Sequence, residues 1–293
     1  MGRHLLVHIG LPKTATTTLQ SQVFPALDTR DGFIYAGVFQ PRGSKESDLF
    51  RSFTSAVLNG DQSDFKNAIS GTPEDCRIVF SEEMVTVGSS RRSWEDNLCR
   101  LKDLLEPYDY SILVTLRNPL DAIPSYYVEL YESMMERWPV FKAALVEDPR
   151  MGIFLYSSFI PFLRDLFGSE CINFCRFEDI VSGDLANVGQ FLGGEMPEGL
   201  HLPDMNKKTK KGRAVRFQGK SKVKLSDFLL DKLDHSPEGK LMTRIYAFLI
   251  FVGLPVLSRI RVRRFYTVPL PDAKELEKLR DLIDRDVLFY ESI

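Results

Sequence analysis

The stretch HIGLPKTATTTLQ, residues 8 to 20, sets a glycine, a proline, a lysine and a run of threonines within a few positions of one another. Such a set can hold an anion. Gly10 lets a backbone approach a ligand closely, Pro12 stiffens the turn, and Lys13 brings an ammonium over whatever the turn encloses. Thr14, Thr16, Thr17 and Thr18 supply hydroxyls where helix propensity would not select threonine. A helix starting near Thr16 adds unpaired N–H groups and the positive end of its dipole. The spacing is not that of the triphosphate loop GxxxxGK[ST], because Lys13 follows Gly10 by three residues and no glycine directly precedes it. A typical ATP or GTP site is therefore not expected.

A second stretch, VTLRNPLDAIPSYY at 114 to 127, repeats the logic. Arg117 is a planar, permanently charged donor suited to bidentate phosphate binding. Asn118 can cap a helix, Pro119 suits its first position, and Asp121 complements the dipole. Ser125 stands roughly 9 Å further along the axis at helical rise, so it reaches an anion only through its hydroxyl. Two anion sites at separate strand ends imply a ligand with phosphates at two positions rather than one polyphosphate tail.

These residues need a scaffold that brings strand ends together. HLLVHIG, GFIYAGV, RIVFSEE, YSILVTLR and CINFCRF read as strands, Val/Ile/Leu-rich with little polar alternation, as in strands covered on both faces. Between them 16–27, 47–70, 93–106, 119–146, 152–167 and 178–192 carry helical spacing. The pattern predicts an α/β fold, a three-layer sandwich with a central, mainly parallel sheet flanked by helices and ligands at the C-terminal edge of the strands. From 205 to 224, nine Lys or Arg residues occur with no acid, which reads as a basic loop. The expected organisation is one domain over 1–293, with a helical C-terminal portion at 225–293.

An apolar share of 44% is ample for a core at 293 residues, and a formal charge of −2 gives no global attraction to nucleic acid. Cys76, Cys99, Cys171 and Cys175 show no CxxC spacing and read as reduced, mostly buried thiols, and the four histidines are too scattered to complete a metal site. No secretory signal opens the chain, so a cytoplasmic protein is expected. IYAFLIFVGLPVLS at 245–258 is short for a bilayer span and reads as a buried helix. The arginines that follow it make membrane contact through 245–264 the alternative. The oligomeric state is open.

PKTATTT and RNPLDAIPSYY, in this order and about 100 residues apart, resemble the two signature motifs of the sulfotransferases that use 3′-phosphoadenosine 5′-phosphosulfate (PAPS). The resemblance, to the carbohydrate and bacterial-type members above all, spans most of residues 4–193 and implies a P-loop-like fold with PAPS as co-substrate and no metal. It implies that Lys13, Thr14, Thr16 and Thr17, with Thr18 as a weaker addition, hold the 5′-phosphosulfate, and that Arg117 and Ser125 hold the 3′-phosphate. CRFEDIVSGDLANVGQFLG at 175–193 is similar to a family stretch whose Glu178 and Asp179 would be structural. Two positions depart: Ala15 stands where many members have Gly, which disfavours positive φ, and Thr18 where cytosolic members have a Trp that stacks on adenine.

The family's small-molecule members use a histidine base after the strand that RIVFSEEMV resembles, and none is present here. Glu82 is at the matching place, with Glu83 adjacent, and glycan-modifying members are similar in using a carboxylate. Lys13 would stabilise the leaving group, a task typically worth roughly 3 kcal/mol. KKGRA at 210–214 resembles the loop with which carbohydrate members close over the donor, which implies donor contacts from Lys211, Gly212 and Arg213. A solvated loop and a docking site for an acidic polymer are the other readings. Arg91, Arg92, Tyr126, Tyr127 and Trp138 are candidates for the acceptor cleft. The expected reaction is sulfuryl transfer to an acceptor hydroxyl, first of a carbohydrate and second of a small lipid or phenol. A nucleotide kinase-like phosphotransferase and a catalytically silent nucleotide-binding module are the alternatives from other classes.

Overall fold

A computed structural model of the chain describes residues 2–38, 47–88, 92–194, 196, 214–224 and 261–293. All five expected strands form: β1 His4–His8, β2 Phe33–Tyr35, β3 Arg77–Ser81, β4 Asp109–Leu116 and β5 Ile172–Arg176. They make one parallel sheet in the order β2-β3-β1-β4-β5. In β1 and β4 consecutive residues, Leu5 to Val7 and Ile112 to Val114, are all buried, so both faces of the central strands are covered, as their unbroken apolar runs predict.

Helices connect the strands. They are α1 Thr16–Thr18, which continues into a wider π-type turn at Leu19–Val23, then α2 Asp48–Thr54, α3 Ser63–Ser70, α4 Trp94–Leu105 and α5 Pro119–Met134. After them come α6 Tyr156–Phe167, α7 Phe177–Ser182, α8 Ala186–Phe191, α9 Ala273–Leu282 and α10 Asp284–Glu291. The last two are the expected helical C-terminal portion. At the head of α4, Ser93 and Asp96 form a reciprocal capping box.

One sequence expectation needs correction. Residues 214–224 are not loop, and 225–293 is not helical throughout: β6 Ala214–Lys224 pairs antiparallel with β7 Arg261–Pro269. The cause is legible afterwards, since Val215, Phe217 and Val223 alternate with Arg216, Gln218 and Lys224, a period-two pattern that charge density masks. Contacts divide the chain into two compact units, Met1–Tyr126, Ala143–Lys210 and Ala273–Ile293 in the first, Tyr127–Lys142 and Lys211–Asp272 in the second.

The strand order positions the site. From β1 the chain winds toward β2 on one side, and from β4 toward β5 on the other, so the crevice between the C-terminal ends of β1 and β4 is a topological switch point. The turn after β1, Arg117 after β4 and Glu82 after β3 all lie at this edge.

Candidate functional site

The turn after β1 is held in a conformation that side chains resist. Lys13 (φ 70°) and Ala15 (φ 64°) are both left-handed, and they flank Thr14. For residues with a Cβ this costs roughly 1–2 kcal/mol each. Ala15 thus adopts the positive φ that its side chain disfavours. Ala15 also caps α1 with no side-chain bond, and the first helical bond runs from the Thr18 N–H to its carbonyl at 2.9 Å. The amides ahead of Thr18 therefore lack intrahelical partners and face the end of the helix.

The threonines divide by role. Thr14 is fully buried, and its hydroxyl donates to the Leu11 carbonyl at 2.6 Å and meets the Thr115 hydroxyl at 2.8 Å, so it braces the turn instead of opening onto a ligand. Thr16 Oγ1 is buried and has no partner among the described residues. Thr17 and Lys13 are exposed, whereas Thr18 is buried. Gly10 is required here: a Cβ on it would stand 2.3 Å from Thr16 Oγ1 and 2.9 Å from Thr115 Oγ1.

Arg117 joins the second motif to the first. Its Nη1 donates to the Lys13 carbonyl at 3.3 Å, and its guanidinium lies 4.5 Å from the centre of the Phe177 ring. Its Nε is buried with no partner among the described residues. Its main chain is clasped by Tyr156, whose hydroxyl accepts from the Arg117 N–H at 3.3 Å and donates to the Arg117 carbonyl at 2.7 Å. Burial pushes the Tyr156 hydroxyl pKa far up, so the clasp stays protonated. Asn118 caps α5 as expected, accepting from the Leu120 N–H at 3.0 Å. Ser125 is half-buried on α5, next to Pro124.

Glu82 follows β3 directly. Its N–H donates to the His8 carbonyl at 3.1 Å, which fixes it against β1. It is 8% exposed, and its Oε1 accepts from the Met84 N–H at 2.8 Å, capping the 3-10 turn Glu83–Thr86. Glu83 is half-buried within that turn. Thr86 donates to the Glu83 carbonyl at 2.9 Å and reaches toward the Gly10 carbonyl at 3.4 Å, so the turn carrying Glu82 abuts the anion turn.

The structure brings together Lys13, Thr16, Thr17, Arg117 and Glu82, and adds residues the sequence reading passed over. Tyr156 gives no sequence signal beyond an aromatic residue in a helical pattern, and Phe177 none beyond closing the strand run CINFCRF. His8 and Thr115 do give one, because each is a polar residue inside an apolar strand. Glu178 and Asp179 are structural, as expected: Glu178 accepts from the Tyr290 hydroxyl and Asp179 pairs with Arg176 at 3.2 Å.

Of the acceptor-cleft candidates, three make packing or backbone contacts. Arg92 donates to the Leu58 carbonyl, Tyr126 and Tyr127 are buried, and the Tyr127 hydroxyl donates to the Trp138 carbonyl at 2.9 Å. Lys211, Gly212, Arg213, Arg91 and the 245–258 segment lie outside the described residues.

All four cysteines are free, yet only Cys76 and Cys175 are buried, since Cys99 is exposed and Cys171 half-buried. Among the described residues no cluster of His, Cys, Asp or Glu is placed to hold a metal, and no helix is long and apolar enough to cross a membrane. A cavity of about 410 Å³ adjoins the Arg117 turn, lined by Asn118, Leu120 and Asp121 with Leu276, Glu277 and Arg280 of α9. A larger one, about 730 Å³, opens at the opposite edge of the sheet beside His4, Arg77 and Asp109, and none of Lys13, Thr16, Thr17, Glu82 and Arg117 lines it.

No protein-family model matches the sequence, and no curated protein matches it. Among solved structures the chain is similar to a sulfotransferase from Alicyclobacillus acidocaldarius, at 19% identity over 70% of this chain and 87% of that one, with a TM-score of 0.42. It is also similar to mouse sulfotransferase SULT7A1 complexed with PAP, at 15% identity over 66% of this chain and 59% of that one, with a TM-score of 0.34.

Proposed function

We propose that the chain is a PAPS-dependent sulfotransferase that moves a sulfuryl group onto an acceptor hydroxyl, with a carbohydrate as the leading acceptor class. The observation that carries this reading is the Arg117–Lys13 bond across the switch point, with two buried donors beside it, Arg117 Nε and Thr16 Oγ1, that have no partner among the described residues. Unpartnered buried donors are costly unless a ligand completes them. Two phosphate esters on the 3′ and 5′ carbons of one ribose lie only a few bonds apart, which suits two anion sites that share an edge.

In this reading Lys13, Thr16, Thr17 and the amides at the start of α1 hold the 5′-phosphosulfate, and Arg117 with Ser125 holds the 3′-phosphate. Thr14 and Thr18 act by packing rather than by contact. Lys211, Gly212 and Arg213 are further candidates for donor contacts, on the family resemblance of KKGRA. Transfer forms a bond from the acceptor oxygen to sulfur and breaks the bond from sulfur to the 5′-phosphate oxygen. Lys13 offsets the charge that develops on that leaving oxygen. Glu82 takes the acceptor's proton, and its bond to the Met84 N–H orients the carboxylate before the acceptor arrives.

A second reading, a binding module that transfers nothing, is favoured by the burial of Glu82 and its use as a cap. Calorimetric titration with adenosine 3′,5′-bisphosphate tests the shared part: binding by the parent and loss in Arg117→Ala are expected, and no binding by the parent would sink both readings. Sulfate transfer from PAPS to an array of glycans and phenols then separates the two.

A further inference from the structure

We infer that His8 is a positioning residue whose imidazole, bridging Ser81 and Thr115, directs a one-way chain of hydrogen bonds that shapes the anion turn from beneath. The inference rests on the function proposed above. His8 ends β1, fully buried, with Nδ1 2.7 Å from Ser81 Oγ and Nε2 3.1 Å from Thr115 Oγ1. One imidazole thereby ties together the ends of β3, β1 and β4, the strands that deliver Glu82, the anion turn and Arg117.

The proton directions follow from one fixed end. The Thr14 hydroxyl gives its proton to the Leu11 carbonyl, which can only accept. Thr14 Oγ1 must therefore accept from Thr115 at 2.8 Å, and Thr115 Oγ1, its proton spent, must accept from His8 Nε2–H. That assigns the Nε2–H tautomer. Nδ1 then accepts from the Ser81 hydroxyl, whose own oxygen accepts from Gln20 Nε2 at 3.2 Å. Each hydroxyl in the chain donates once and accepts once, and the chain runs from Gln20 through Ser81, His8, Thr115 and Thr14 to Leu11. Burial pushes the His8 pKa down to about 3, in keeping with a neutral ring.

The consequence falls on the turn. Thr14 sits between the two left-handed residues Lys13 and Ala15, so fixing its side chain inward fixes the strained backbone that presents the 5′-phosphate donors. The chain ends at Leu11 and Thr14; the Arg117 guanidinium, although it donates to the Lys13 carbonyl, is seated on the Phe177 ring outside the chain, and Tyr156 holds its backbone. Its loss should therefore weaken the 5′ site and spare the 3′ site.

The test uses the full chain and nitrogen-15 NMR. In the parent the His8 side chain should show the Nε2–H tautomer, and the Nδ1–H form or a protonated ring at neutral pH overturns the inference with no variant needed. Thr115→Val should weaken adenosine 3′,5′-bisphosphate about tenfold, the effect of one lost hydrogen bond, while adenosine 3′-monophosphate binds as before. His8→Gln, whose amide can still reach Thr115, should restore much of the bisphosphate affinity that His8→Leu loses. Equal losses for both nucleotides, or no loss for either, overturn the inference. A parent that binds neither nucleotide overturns the proposed function instead, and the tautomer still decides the chain.

Discussion

Arg117 Nη1 donates to the main-chain carbonyl of Lys13, a 3.3 Å bond between turns 104 residues apart in sequence. It spans the crevice where the winding of the sheet reverses, so the two motifs meet at one edge of the fold. The guanidinium is held on one face by Phe177, and the Arg117 backbone is clasped by Tyr156, which leaves Nε with no acceptor among the described residues.

Replacement of Arg117 separates charge from geometry. Arg117→Lys keeps the charge but loses the planar fork and the stack on Phe177, and should weaken adenosine 3′,5′-bisphosphate by about tenfold or more. Phe177→Leu keeps the guanidinium and removes only its platform, for which a loss of about two- to fivefold is expected. Calorimetry on both variants checks the order. Tighter binding by Arg117→Lys than by Phe177→Leu would contradict the assigned roles.

Glu82→Gln isolates the carboxylate's charge. Glutamine retains an oxygen that can accept from the Met84 N–H, so the cap and the fold should survive, with bisphosphate binding within about twofold of the parent because this bond is kept. Transfer should fall by roughly 100-fold or more, the usual contribution of a general base. Unchanged turnover on a true acceptor would move the base elsewhere, with Glu83 the next candidate.

The sheet and the two motifs were legible because their signals are local: apolar runs of strand length, and Gly, Pro, Lys, Arg and Asn at fixed offsets. Lys13 and Arg117 could be placed at strand ends from those offsets alone. Hydroxyl direction was not legible, since the inward turn of Thr14 depends on Thr115, which lies 101 residues away. Tyr156 and Phe177 were hidden for the same reason, because a clasp across 39 residues leaves no periodic trace. The strand at 214–224 failed differently: its cations drew attention away from an alternation that was present all along.

Backbone strain in the anion turn gives a stability prediction of unusual sign. Ala15→Gly should stabilise the chain by up to about 1 kcal/mol, the relief of a left-handed alanine less the greater freedom of glycine in the unfolded chain. Gly10→Ala should destabilise it by about 1–3 kcal/mol, because Thr16 and Thr115 must move to admit the methyl. Urea unfolding of the two variants measures both changes. A destabilising Ala15→Gly would show that Ala15 is not strained as its φ of 64° indicates.

His8 predicts how stability falls in acid. In the unfolded chain its pKa is the ordinary 6.5, and in the fold burial lowers it to about 3. Between those values the unfolded state binds a proton that the folded state refuses, so stability must rise with pH across the window and be complete above it. As pH falls below about 6.5 the cost approaches about 1.4 kcal/mol per unit, until the folded histidine itself protonates near pH 3. His4, half-buried, shifts in the same direction, and the carboxylates titrate over part of the same range, so the parent's slope alone does not identify the residue. The difference between the parent and His8→Gln does, because the other groups are common to both chains. Urea unfolding at pH 7, 6 and 5 should give a shallower loss in the variant, and parallel losses would show that His8 is protonated in the fold.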